Sequence, residues 1–435
     1  MFNDRRFLNL SLTLFSITLS FTLFSLVGCY KAAQEQNTQK IIIWHSFDGA
    51  LEKIFQSLVN DYNQLPETQQ ANIQVVSEFK GNYDQSLEVG LSVAGTAQAP
   101  HLLQVYEMGT LKILKLQEKK QVVIPLVEVM GNKQLDESLF LPSIAQFYKA
   151  RTNTLNSVPF NASTVVLYYN KTALKKAGID EAEIPTTWET FTEVAHKLKK
   201  TGAKNALGFG WLTGHGIDQA AAMHNQPVAT NGNGVDGDGT MVLAQQDFFK
   251  YHIDWLKEMY AQDMFTIVDG PSAEKMFGDQ EILFLSQGAN RLPLLENNVK
   301  GAFKIGVTQF PYWKKFIDKP YNTIAGGASF WVLAGHSEKE YRGIADFLCY
   351  LVSIPVQKKW HMETGYIPVV KGVQELCEQE GFYTKDLRGK TAFLALESLM
   401  GQEPKEYSRG ILLPSFPEIR KIQIAELTAA IKNKK

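Results

Sequence analysis

The chain has 435 residues, with 44 Lys and Arg against 45 Asp and Glu, a formal charge of −1, 45% hydrophobic and 20% charged residues. That length exceeds a single core and fits two globular domains, and near-neutrality excludes a nucleic-acid partner, whose phosphates demand a basic excess. Three cysteines make no disulfide framework.

Arg5 and Arg6 precede a run of Leu, Phe, Ile and Val that ends in Leu26, Val27, Gly28 and Cys29. A positive start followed by such a run reads as an export signal. A cysteine at the cleavage position resembles the bacterial lipobox, in which the thiol receives a diacylglycerol and becomes the new N-terminus. Residues 1–28 are then a lipoprotein signal peptide and residues 29–39 a polar tether. The expected mature protein is exported, lipid-anchored through Cys29, and held on the periplasmic or cell-surface side, since several acyl chains bind a bilayer far more firmly than one. A membrane-spanning anchor is the alternative, because the run approaches spanning length.

From Lys40 onward, "KIIIWHS", "NIQVVSEF" and "HLLQVYE" read as strands, separated by the helical patterns "LEKIFQSLVNDYNQL" and "YDQSLEVGLSVAG". This β-α-β-α-β rhythm implies a parallel sheet covered by helices, whose ligands sit at the carboxyl ends of the strands. A second α/β unit opens at "NASTVVLYYNKTALKKAG". Thr186 with Glu189 forms a capping-box pattern before Phe191, Val194, Ala195 and Leu198, and Gly202 ends that helix. Ser337 with Glu340 marks another helix start. "EILFLS" and "TIAGGASFWVLAG" are further strand candidates, while "NGNGVDGDG", lacking acidic calcium-loop spacing, reads as a glycine-rich surface turn. Cys349, within "IADFLCYLV", reads as a small core residue.

No nucleophile elbow, zinc-protease motif or phosphate loop occurs, so the chain carries no enzymatic signature. No cofactor is implied. His215, His224 and His252 lack metal-ligand spacing, so no metal is expected. Trp44, Tyr83, Tyr106, Trp211 and Tyr366 fall near strand ends or in loops with small polar neighbours. Aromatic faces beside placed donors and acceptors suit a sugar or polyol, although core packing is the better explanation of any single aromatic residue taken alone.

The blocks "FKGNYDQSL", "APHLLQVYEMGT", "PFNASTVVLYYNK", "GGASFWV", "WHMETGYIPV" and "EQEGFY" resemble, in this order, the sn-glycerol-3-phosphate-binding proteins of bacterial ABC importers. These belong to the extracellular solute-binding proteins of the maltose-binding type. The resemblance implies a two-lobe α/β periplasmic-binding-protein fold (type II), with hinge crossings at Phe160 to Asn170, at the end of "EILFLS" and at "AGGAS". The corresponding division places 40–159 and 287–326 in lobe 1, and 160–286 and 327–435 in lobe 2. Carried over by motif, the ligand-binding residues are Tyr83, Glu107, Ser163, Trp211, Ser286, Gly327 and Tyr366. Glu107 would accept from vicinal hydroxyls, while Ser163, Ser286, Gly327 and Tyr366 would donate to a phosphate. Trp44, His215 and Arg409 are additional candidates.

Two positions depart from the family pattern. Gly214 or His215 stands where the family has a second tryptophan, and Leu412 where it has a phosphate-facing arginine, for which Arg409 or Arg291 is a possible substitute. The implied function is capture of sn-glycerol-3-phosphate or a glycerophosphodiester by a monomer that delivers it to ABC permease subunits. A receptor for a neutral sugar or glycosylglycerol is the alternative, and a glycan-binding surface lipoprotein is the reading of another class.

Overall fold

The computed structural model describes residues 38–131, 135–414 and 416–432. Cys29 and the stretch expected to be a signal peptide lie outside the described residues. No helix among the described residues is long and apolar enough to cross a membrane.

Two five-stranded sheets organise the chain. The first uses β1 (Gln39–His45), β2 (Ile73–Phe79), β3 (Leu102–Tyr106), β4 (Val158–Ser163) and β10 (Gly326–Val332), in the order β2-β1-β3-β10-β4. The second uses β5 (Val165–Asn170), β6 (Asn205–Phe209), β7 (Phe265–Thr266), β8 (Ile282–Gly288) and β9 (Ile305–Thr308), in the order β7-β6-β8-β5-β9. In each sheet a parallel core is flanked by an antiparallel insertion: β10 runs against β3 and β4, and β5 against β8 and β9.

Local patterning accounts for the elements. In β1, Ile41, Ile43 and His45 alternate inward and are fully buried, the period-2 signature of a strand. The helix α1 (Gly49–Asn63) buries Phe55, Leu58, Val59 and Tyr62, spaced to form one stripe. The helix α2 (Tyr83–Val93) starts at Asn82, which closes a capping box with Gln85. In α3 (Trp188–Lys200) the expected apolar stripe is buried, but the box is set one residue later: Thr187 caps, with Thr190 as its partner. Glu189 instead accepts from the backbone N–H groups of Lys314 and Lys315, at 3.2 and 3.0 Å. Further along come α4 (Asp247–Ala261), α5 (Gly270–Gly278), α6 (Leu292–Val299), α7 (Glu338–Leu351), α8 (Ile354–Thr364), α9 (Leu387–Met400) and α10 (Phe416–Lys432). The box of Ser337 with Glu340 opens α7 as expected.

Strand pairing divides the chain differently from the sequence-based boundaries. After β8 the chain stays with the second sheet, where β9 pairs with β5, and it enters the first sheet only at Gly326. Residues 287–308 therefore belong with the second sheet, and β10 belongs with the first. No passage between sheets occurs at the end of "EILFLS". The passages are Thr164, the single residue between β4 and β5, then the segment between Thr308 and Gly326, and finally the stretch between α8, packed on α1, and α9, packed on β5 and β9. The first two are stitched together: Thr164 Oγ1 donates to Ile324 O at 3.1 Å, and Gln219 binds both the N–H and the C=O of Ile324.

The histidines read as ordinary are structural, with the exception of His215. His224 Nε2 accepts the Trp313 N–H, and His252 Nδ1 accepts the Trp313 indole N–H at 2.9 Å. The "NGNGVDGDG" segment is more than a surface turn. Asn233, 1% exposed, accepts the Val228 and Ala229 N–H groups, and Asp236 and Asp238 pair with Arg409 and Arg151. Cys377 is buried, Cys349 is half-buried, and the two form no disulfide. His101, His336 and Glu340 cluster closely enough to raise the question of a metal. Ile42 N–H donates to His101 Nδ1 at 3.0 Å, which fixes the proton on Nε2, and this nitrogen faces Glu340 at 3.2 Å. A ligating Nε2 would have to shed that proton, so the cluster is held by hydrogen bonds.

Burial lowers the pKa values of His45, His224 and His361 to about 4 and that of His252 to about 3. Each folded-state value is depressed below the ordinary 6.5, so the unfolded chain binds more protons in the interval between. Unfolding free energy should therefore hold above pH 6.5 and fall as pH drops towards 4, with a slope up to about 1.4 kcal/mol per pH unit per histidine. Urea titrations across that range test this, and a flat profile from pH 6.5 to 5 would contradict it.

Candidate ligand site between the two sheets

The carboxyl ends of β3, β4, β6 and β8 and the start of β10 open into one cavity of ≈ 450 Å³, within the size range of small-molecule sites. Its position follows from topology, because strand ends leave loops and helix starts free of the hydrogen-bond ladder. From the first sheet come Asp84 at the start of α2, Tyr106 and Glu107 after β3, Ser163 ending β4, and Gly326 and Gly327. From the second come Trp211 and His215 after β6, and Asn290 and Arg291 after β8.

Of the residues named from sequence, Tyr83, Glu107, Ser163, Trp211, Gly327, Tyr366 and His215 line this cavity. Three do not. Trp44 donates its indole N–H to Glu78 at 3.0 Å beneath Lys80, on the far side of β1 from the buried stripe. Ser286 is fully buried within β8 and reaches only His215 Nδ1, at 3.4 Å. Arg409 grips Asp236 with both terminal nitrogens and anchors the glycine-rich segment.

The polar groups are held in place before any ligand arrives. Ser46 N–H donates to Gln104, whose amide donates to Asn161 Oδ1 at 2.9 Å, and Asn161 donates to the Tyr83 hydroxyl at 3.2 Å. That relay fixes the orientation of both amides. Tyr83 stacks on Tyr106 at 5.2 Å and 11°, and Tyr106 donates to Asp84. Tyr366 stacks on Trp360 at 5.7 Å and 11°. Its hydroxyl sits among Asn161, Tyr83 and Asn290, and burial raises its pKa, so it remains a neutral donor. Ser163 Oγ donates to Asn290 Oδ1 at 3.0 Å.

Glu107 accepts the Gly327 N–H at 3.0 Å. Burial raises its pKa despite that bond and the nearby positive charge of Arg420. Gly327 has φ +130°, and a Cβ there would stand 1.9 Å from Asn161 O, so only glycine fits. Gly327 N–H, expected to face a phosphate, is thus occupied by Glu107. Trp211 lies flat over Gly214, where a Cβ would stand 2.1 Å from the ring. On its other contact Arg420, 5% exposed and ion-paired with Asp218, lies 4.9 Å from the ring centre. The side chain at Gly214 that the family pattern would supply is therefore incompatible with this ring position. Burial lowers the pKa of His215 to about 4, leaving it neutral at pH 7.

Arg291, named from the sequence with Arg409 as a substitute for the missing arginine, lines the cavity, whereas Asp84, Asn290 and Arg420 are site or supporting residues that motif reading did not assign. Asp84 had a faint local signal, a helix start, and Arg420 had none that separates it from the adjoining Lys421. A separate groove of ≈ 460 Å³ between α4 and α10 is lined largely by Ile, Leu, Val and Met.

Several known proteins are similar to this chain. The sn-glycerol-3-phosphate-binding periplasmic protein UgpB of Yersinia pseudotuberculosis is 34% identical over 410 residues, 93% of this chain and 90% of its own. UgpB of Escherichia coli O1:K1 is 34% identical over 415 residues, 94% of this chain and 91% of its own. The crystal structure of Mycobacterium tuberculosis UgpB with glycerophosphocholine shares the fold at TM-score 0.73 and 17% identity, covering 91% of this chain and 94% of that one. The GacH receptor of Streptomyces glaucescens does so at TM-score 0.70 and 14% identity, covering 92% and 94%. Residues 91–388 match the bacterial extracellular solute-binding protein family, and with the two-sheet fold and the cavity at its strand ends, the chain belongs to that family.

Proposed function

We propose that this protein is the lipid-anchored receptor of an ABC importer, which captures sn-glycerol-3-phosphate or a glycerophosphodiester and presents it to the permease subunits. The observation that carries this reading is the composition of the cavity. Carboxylates of Asp84 and Glu107 face aromatic surfaces of Tyr83, Tyr106 and Trp211 and a set of neutral donors from Ser163, Asn290 and Tyr366. Carboxylates accept from vicinal hydroxyls, aromatic faces cover C–H surfaces, and hydroxyl or amide donors serve phosphoryl oxygens. The relatives named for sn-glycerol-3-phosphate binding support the same ligand class.

Lobe closure would be a hinge motion about Thr164 and Ile324, driven by contacts that the ligand makes to both sheets. The protein would act as a monomer tethered through Cys29, with the segment before β1 as its leash. It needs no catalytic group and no cofactor. The function would be tested by titration calorimetry of the mature chain with sn-glycerol-3-phosphate, glycerophosphocholine, glucosylglycerol and maltose. Binding of the phosphate esters with exclusion of maltose is the expected result, whereas heat only with the uncharged glycosides would replace this reading by the neutral-sugar receptor. Mass spectrometry of the processed N-terminus should show acylated Cys29, and an unmodified thiol there would remove the anchor.

A further inference from the structure

Leu412, where the family resemblance places a phosphate-facing arginine, is 1% exposed and bound through its N–H to Asn233 O at 2.9 Å. It contributes nothing polar to the cavity. A phosphate ester brought into this site therefore needs its counter-charge from elsewhere. Among the described residues lining the cavity, Arg291 is the cationic side chain, since His215 is neutral and Arg420 is enclosed between Asp218 and Trp211.

We propose that Arg291 is the anion-anchoring, specificity-determining residue of this receptor, and that Glu274 is the positioning residue that aims its guanidinium. This rests on the reading of the ligand as a glycerol phosphate ester. Glu274, 4% exposed, receives Arg291 Nε–H at 2.8 Å and Nη2–H at 3.0 Å. This side-on pairing consumes one edge of the guanidinium and leaves the end-on edge, formed by Nη1 and the second Nη2 proton, for a bidentate oxyanion. Gln287 donates to the same Glu274 at 2.9 Å. Gly210 keeps that support possible, because a Cβ there would stand 2.3 Å from Gln287 Nε2. The cation is thus oriented by a buried carboxylate that is itself held, so little side-chain freedom remains to be lost on binding.

Arg291 also stands with the neutral donors. Around the position that a Gly288 Cβ would take, Asn290 Oδ1 lies at 2.6 Å, Ser163 Oγ at 3.4 Å and the Arg291 stem at 3.8 Å. The positive charge of Arg291 is felt at the Tyr366 hydroxyl. Arg291 therefore lines the same cavity as the Ser163 and Tyr366 hydroxyls and the Asn290 amide, the combination that a phosphoryl group requires. A monoester, with more charge on its oxygens than a diester, gains more from this edge.

The test is calorimetry of wild type, Arg291→Gln, Arg291→Lys and Glu274→Gln with sn-glycerol-3-phosphate and glycerophosphocholine at low and high NaCl, alongside apo melting curves. Arg291→Gln should weaken monoester binding on the order of 10- to 100-fold, weaken the diester less, and flatten the salt dependence. Arg291→Lys should recover part of the loss, because it restores charge without the fork. Glu274→Gln should weaken the monoester by a smaller factor while keeping the salt dependence. If wild type binds both esters and Arg291→Gln, folded as judged by its melting curve, binds the monoester equally well, Arg291 is only a strut and the assignment falls alone. Should Arg291→Gln fail to fold, Arg291→Lys decides: a monoester affinity and a monoester-to-diester preference identical to wild type overturn the assignment, because the fork would then contribute nothing. If wild type binds neither ester, the assignment falls together with the ligand reading.

Discussion

Replacing Gly327 by alanine should give a protein that loses ligand binding by more than about 100-fold and about 3 kcal/mol or more of stability. The site of conflict is backbone: the added Cβ would stand 1.9 Å from Asn161 O and 3.1 Å from Ala162 Cα, at φ +130°. A flexible side chain could move aside, but Asn161 and Ala162 are ladder residues of β4 paired with β10. Relief requires β10 to withdraw from β4, which takes the Gly327 N–H away from Glu107 and misplaces Ser163, the pairing partner of Gly326. The neighbouring Gly326→Ala is the control for folding alone, since its Cβ would meet nothing closer than 3.9 Å. Urea unfolding separates the two, calorimetry reads the binding loss in Gly327→Ala, and wild-type folding and binding in that variant would refute the account.

Glu107→Gln should behave in the opposite sense on stability: a more stable apo protein that binds ligand on the order of 10- to 100-fold more weakly. Burial raises the pKa of Glu107 in the folded chain above that of the unfolded chain. For such a group the contribution to stability is complete below the unfolded value and is lost as pH rises through the folded value. At pH 7 the buried charge therefore works against the apo fold, and a neutral amide removes that penalty while its oxygen still accepts the Gly327 N–H. The same charge favours binding, because hydroxyls donating to a carboxylate form stronger bonds than those donating to an amide. A site that is destabilised when empty and satisfied when filled is an expected trade of stability for function. The melting temperature of apo Glu107→Gln should accordingly exceed that of wild type at pH 7, with the difference shrinking at acidic pH. A lower melting temperature with unchanged affinity would mean that Glu107 is a structural carboxylate.

The same carboxylate shows why a motif alone under-describes the site. "QVYE" placed Glu107 at a strand end, where a ligand is expected, and the structure puts it there. Nothing in those letters shows that its partner is the N–H of Gly327, which lies 220 positions along the chain. Likewise "TTWE" contains the right cap chemistry in two adjacent frames. Thr187 wins because Glu189 is drawn to the backbone at Lys314 and Lys315.

By itself the sequence determined the local elements and several of the residues that line the cavity. Alternating apolar residues make β1, a stripe spaced at helical intervals makes α3, and residues that end strands lie at the sheet edge, which placed Tyr83, Glu107 and Trp211 near a ligand, while the family resemblance added Ser163. Tertiary structure decided everything that depends on which distant strands pair. It assigned β9 to the second sheet and β10 to the first, moved Ser286, Trp44 and Arg409 away from the cavity, and brought Arg291 into it on the support of Glu274. The physical reason is that hydrophobic period and capping are encoded within a few residues. A strand's neighbour, and hence the direction in which a side chain beyond its end points, is chosen by hydrogen-bond ladders between segments far apart in the chain.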